Sequence, residues 1–127
     1  MQQATTSLPP RTVTIAIQLI WLTIAANALM MAVDYDDASS DAMVFNSMLL
    51  VFNGFTTIKI AACKNWARIV YSILVALDVA MILALGLDEA TDLEVVLTYM
   101  SVALEAWALL RLFGAEADQW FKPTRQN

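Results

Sequence analysis

Residues 43–87 read MVFNSMLLVFNGFTTIKIAAC, then KNWAR, then IVYSILVALDVAMILALGL, two apolar runs joined by a short basic hinge. A helix of about 20 apolar residues crosses a hydrocarbon layer of ~30 Å, and each run reaches that length. Two further runs of similar length, residues 12–33 and 93–113, flank the pair. None of the runs alternates strictly, and each is too long and too uniformly apolar for a barrel strand. Backbone amides in lipid must be paired within their own segment, which leaves helices. The short polar connections make neighbouring helices antiparallel.

The expected fold is therefore all-α: an integral-membrane, antiparallel bundle of four transmembrane helices over residues 12–33, 43–63, 67–87 and 93–113. A flexible cytoplasmic tail is expected at 1–11, where Pro9 and Pro10 bar a helix, and a second cytoplasmic tail at 114–127. The first run is longer than the ~7–15 apolar residues of a secretory leader and continues past the small-residue site at Ala26–Ala28, so it reads as an uncleaved span. Composition agrees with lipid as the solvent. Hydrophobic residues make up 60% of the chain and charged residues 15%, against about 45–50% and about 25% in soluble domains.

The net charge of −5 hides a segregation. Asp34, Asp36, Asp37 and Asp41 fall in one connection; Asp88, Glu89, Asp92 and Glu94 fall in another. Arg11, Lys64, Arg68, Arg111, Lys122 and Arg125 all belong to the opposite side of a four-span topology, with Lys59 leaning the same way. The positive-inside rule then places both termini and the hinge in the cytoplasm. No basic tract interleaved with aromatics suits nucleic acid. Cys63 is the single cysteine and histidine is absent, so an internal disulfide is excluded and the usual haem, zinc and copper ligand sets are missing. No cofactor or metal site is expected.

Polar residues inside the spans are the candidate chemistry. Asp78 and Glu105 lie near the middles of the third and fourth runs, where an ionised carboxylate costs ~2.5–3.5 kcal/mol on the lenient insertion scale. Each is expected to be protonated, wetted by a cavity, or paired. Glu94, Thr98, Ser101, Glu105 and Ala108 recur at helical spacing on one face of the fourth run, as do Tyr71 with Asp78 on the third and Asn46 with Asn53 on the second. An intramembrane polar layer of Thr23, Asn53, Asp78 and Glu105 is predicted at mid-depth. Lys59 either snorkels to the interface or forms an ion pair with Glu105, from which it is offset by ~6 Å along the axis. Trp66 and Trp120 suit a headgroup belt, Trp21 and Trp107 suit the core, and Arg68 and Arg111 suit lipid phosphate. The scattered methionines suit lipid-facing or gap-filling positions.

Three segments together, IAIQLIWLTIAANAL, KNWARIV and LLRLFGAEADQWFK, resemble a group of small bacterial inner-membrane proteins of unknown function. These proteins carry four helices, an N-W-A-R hinge before the third and an aromatic W-F motif after the fourth. The matching positions are Asn65, Trp66, Ala67, Arg68, Trp120 and Phe121. The resemblance implies a multi-pass protein of a bacterial inner membrane, with Asn65, Trp66, Arg68, Trp120 and Phe121 as interfacial anchors. It implies no activity, and Asp78 and Glu105 lie outside the motif.

Two functions fit these residues. The first is an accessory or interaction protein acting through helix–helix and lipid contacts, with a homo-oligomer or another membrane protein as partner. The second is a small proton-coupled transporter, oligomeric, with Glu105 or Asp78 as the coupling carboxylate. An enzyme is not expected, because no nucleophile is placed with a base.

Overall fold

The computed structural model describes residues 8–36, 39–88 and 90–122. The tail before Leu8, and Asp37, Glu89 and Arg125 from the charge pattern above, lie outside the described residues. Every regular element is a helix: α1 (Arg11–Val33), α2 (Ser40–Ala61), α3 (Asn65–Leu85), α4 (Asp92–Leu112) and α5 (Ala115–Phe121). The first four are long and apolar enough to cross a membrane, the architecture of a multi-pass membrane protein. Each packs on two neighbours, so the four close into an antiparallel ring in chain order, tightest between α1 and α4 and loosest between α3 and α4.

Local chemistry sets the ends. Pro10 precedes the first turn of α1 and accepts from the Val13 and Thr14 amides, so Arg11 opens the helix instead of ending a tail. Ser39 caps α2 by accepting from the Ala42 amide at 3.3 Å, which starts this helix in the polar connection before its apolar run. Thr91 and Glu94 form a reciprocal capping box at the start of α4, satisfying two amides that would otherwise lack partners. At the far end of α2 the Cys63 amide donates to Ile60 and the Lys64 amide to Lys59, both at 3.0 Å. These are the paired bonds of a Schellman motif. Cys63 occupies its left-handed position, with φ 62°. α3 ends at Gly86, φ 72° and ψ −177°, an extended conformation open in practice only to glycine, which costs a side-chain-bearing residue roughly 1–3 kcal/mol.

The tight α1–α4 seam follows from side-chain size. Val13, Ala16, Ile20 and Thr23 of α1 face Ser101, Glu105, Ala108 and Leu112 of α4, all buried. Small residues let two backbones approach, the usual route to helix association where lipid removes the hydrophobic drive.

α5 replaces part of the expected C-terminal tail. Ala117 and Phe121 are buried against the bundle end that holds the α2–α3 hinge. The fastener is Arg68. Its guanidinium bonds Asp118 Oδ1 at 2.6 Å, the Leu112 carbonyl at 3.1 Å and Asn65 Oδ1 at 2.6 Å. It also lies 4.9 Å from the ring centroids of both Phe113 and Phe121. Arg68, at 11% side-chain exposure, and Phe121, at 3%, therefore turn inward and are not headgroup anchors. A planar cation with five donors satisfies the last carbonyl of α4, Leu112, and stacks on rings at once. Trp66 remains outward beside Phe55, and Trp120 lies edge-on to Phe121. Trp21 and Trp107, expected in the core, are 45% and 49% exposed on the outer surface. Trp21 reaches across to Gly54 of α2.

Candidate intramembrane cavity

All the fully buried side chains of the four spans lie in the half of the bundle nearer the hinge, or at its midplane. In α1 none comes after Thr23, in α2 none before Thr56, in α3 none after Val75 and in α4 none before Ser101. The other half encloses a cavity of about 400 Å³. Its floor is at mid-depth and its lining reaches Asp34 and Met43 beside the first acidic connection.

The floor is polar. Asn53 of α2, Tyr71 and Asp78 of α3, and Glu105 of α4 all line it. Helical spacing brings them there: Asn46 and Asn53 point one way along α2, as do Tyr71, Val75 and Asp78 along α3, and all five belong to the lining. The carboxyls of Asp78 and Glu105 are neighbours at this floor. Glu105 is 4% exposed and Tyr71 fully buried. Among the described residues four buried side-chain atoms have no hydrogen-bond partner: Glu105 Oε2, the Tyr71 hydroxyl and Asn53 Oδ1 at the floor, and Ser101 Oγ one turn from Glu105, outside the lining. Buried polar atoms are rarely left so, because each unmade bond costs about 1–3 kcal/mol. Orphaned atoms gathered at one cavity floor mark a place where something else supplies the partners.

The predicted layer is thus assembled in part. Asn53, Asp78 and Glu105 meet at the floor. Thr23 is buried at similar depth, but its hydroxyl donates to the Leu19 carbonyl at 3.0 Å within its own helix and does not line the cavity. Thr56 and Thr57 likewise donate to Phe52 and Asn53 carbonyls at 2.8 Å. The Lys59–Glu105 ion pair does not form: Lys59 Nζ lies 5.2 Å over the Phe55 ring, and Arg68–Asp118 is the one ion pair among the described residues. The reason is geometric, since Lys59 leaves α2 on the face that carries Phe55, away from the Thr56, Thr57 and Ile60 side that is buried. Met30, Met31, Met43 and Met81 form much of the apolar wall, a role that scattered methionines do not announce in sequence. At the mouth Asp34 and Glu94 lie side by side. Asp118 was also not legible as a site residue; the signal available was its spacing from Phe121 across one helical turn, pointing both at the hinge.

No protein family matches this sequence, and no curated protein or solved structure matches it either.

Proposed function

We propose that this protein is a small proton-coupled membrane carrier whose coupling site is the Asp78–Glu105 pair. The observation that carries the reading is the gathering of unpartnered buried polar atoms around that pair, at the floor of a cavity that reaches one end of the bundle. Two neighbouring carboxyls out of water hold one proton between them, because two full charges repel there when no cation sits between them. The bundle in this state is open toward its acidic connections and closed toward the basic hinge, where α5 and Arg68 seal the end.

The positive-inside distribution orients the protein with both termini, the hinge and α5 in the cytoplasm, and the cavity toward the outside. The inner membrane of a bacterium is the location that its resemblance and loop charges support. A homo-oligomer is the expected working form, with lipid covering the outward leucines and phenylalanines.

Infrared difference spectra of the purified full chain in lipid nanodiscs, recorded across a pH titration, test the coupling site. A protonated-carboxyl band that titrates reversibly is expected, lost in Asp78→Asn and in Glu105→Gln while helix content and yield persist. If no such band titrates and both variants instead lose yield and thermal stability, the pair is a structural bond and the accessory-protein reading replaces this one.

A further inference from the structure

We propose that the cavity takes a monovalent, amphipathic organic cation, admitted from the acidic end in exchange for one proton. The inference rests on the carrier reading and adds its substrate class. At the floor the free atoms are two acceptors, Glu105 Oε2 and Asn53 Oδ1, and the Tyr71 hydroxyl, which can donate or accept, beside the Asp78 carboxyl. No lysine or arginine is among the described residues that line the cavity, and Lys59 is held against Phe55. An anion would meet no cation there, only amide and hydroxyl donors beside two carboxyl groups.

The walls narrow the class further. Met30, Met31, Met43 and Met81, with Leu49 and Leu50, line the way down. Thioethers and leucines offer soft, adaptable apolar contact and no hydrogen bonds. A sugar or other neutral polyol would lose its hydration along such a wall without replacement. A hard metal ion needs several oxygens in a closed shell, and no three acidic, cysteine or histidine side chains among the described residues could hold one. At about 400 Å³ the space suits a drug-sized molecule. Asp34 at the mouth, in contact with Glu94, adds a negative field that raises the local concentration of cations.

Charge balance sets the stoichiometry. The pair with both protons is neutral; with one proton shared it carries a single negative charge. A monovalent cation binds the second state, so its arrival releases one proton to the open side: the doubly protonated pair plus the cation gives the singly protonated pair with the cation bound, and one H⁺. Protons and the cation therefore compete.

Equilibrium dialysis of tetraphenylphosphonium against the full chain in nanodiscs, with empty nanodiscs subtracted, tests this. Saturable binding is expected, weakening about tenfold per pH unit on the acid side, and weakened at least ~tenfold by Asp78→Asn or Glu105→Gln. Triphenylphosphine oxide, of similar shape and neutral, should not compete. If the neutral compound competes equally, if the variants bind as the wild type does, or if tetraphenylphosphonium fails to bind while the carboxyl band still titrates, the cation class is wrong and the proton-exchanging cavity stands. If that band is missing as well, both fall together.

Discussion

The hinge half and the acidic half of this bundle are built from the same four helices, yet they pack differently. Near the hinge, Ala16, Ala67 and Ala108 are fully buried beside Ile20, Ile60 and Leu112, and α5 closes the end. Toward the acidic connections the spans bury no side chain fully; Asn27, Met30, Leu49 and Met81 surround space instead. Hydrophobicity does not explain the difference, because both halves are apolar and lipid solvates either one equally well. Residue size and hydrogen-bond satisfaction do. The hinge half combines small residues at helical spacing with Thr56, Thr57 and Arg68, whose polar groups find partners. The acidic half combines long, unbranched side chains with polar atoms that lack them. One half is a fixed base, and the other is where the molecule can accept a guest.

The strongest test of that division is Arg68. Arg68→Ala removes an ion pair, two further hydrogen bonds and two ring contacts, and leaves the Leu112 carbonyl unpaired. Because Asp118 is partly exposed and finds water when freed, the expected loss is roughly 3 kcal/mol and not the sum of the parts. Thermal unfolding in detergent should show it, and Arg68→Lys should fail to restore it, since one ammonium cannot hold the three acceptors in their fork. Glu105→Gln in the other half should leave the unfolding temperature nearly unchanged. Equal losses from the two would erase the distinction between base and cavity.

A second contrast removes matched volumes from each half. Ile20→Ala empties a fully buried position, whereas Leu50→Ala enlarges space that already exists. Soluble cores lose about 2–5 kcal/mol for the first kind of change. In lipid only packing is lost, so roughly 1–2 kcal/mol is expected for Ile20→Ala, and under about 0.5 kcal/mol for Leu50→Ala. Paired unfolding measurements with a common detergent check both.

Much of the scaffold could be read from the residues, and the reasons are physical. A membrane forces backbone self-pairing, so long apolar runs can only be helices, and charge segregation follows their connections. The stripe of Ser101, Glu105 and Ala108 on α4 could be placed inward because helical period decides faces. What could not be read was how those faces meet. The Lys59–Glu105 pair failed because axial depth matched but azimuth did not. Arg68 and Phe121 looked interfacial because both sit at a span end, where sequence cannot separate facing lipid from facing a helix folded back underneath. α5 is too short to announce itself by periodicity, and its burial depends on one guanidinium. The cavity depends on the absence of packing, which no pattern of present residues encodes.

Two positive-φ backbone positions flank α3 and sharpen the contrast at smaller cost. Gly86 terminates α3 at the acidic end, and Gly86→Ala should lose about 1 kcal/mol from its positive φ. Cys63 already bears positive-φ strain at the hinge end. Cys63→Gly should relieve it and regain a few tenths to ~1 kcal/mol, less whatever its Sγ–H bond to the Trp120 carbonyl contributes. If Cys63→Gly destabilises by more than ~1 kcal/mol, that sulfur bond holds α5 in place more strongly than a thiol donor should.

The smallest expected effect is a rate, and it reports on both closure and orientation. Cys63 is solvent-accessible at the hinge, yet burial pushes its thiol pKa up, with Lys64 pulling more weakly the other way. A raised pKa leaves less thiolate at neutral pH, so labelling should be slow there and speed up as pH rises through and beyond the ordinary thiol range. The thiol proton is also engaged by Trp120, the residue beside Phe121 on the helix that Arg68 pins. Loosening α5 with Asp118→Asn should therefore raise the labelling rate by a few-fold at fixed pH, whereas Asp78→Asn in the cavity should not change it. A membrane-impermeant maleimide applied to intact cells should leave Cys63 unmodified until the membrane is opened. Labelling from outside would invert the orientation and turn the cavity toward the cytoplasm; equal rates in the two variants would show that α5 does not guard the hinge.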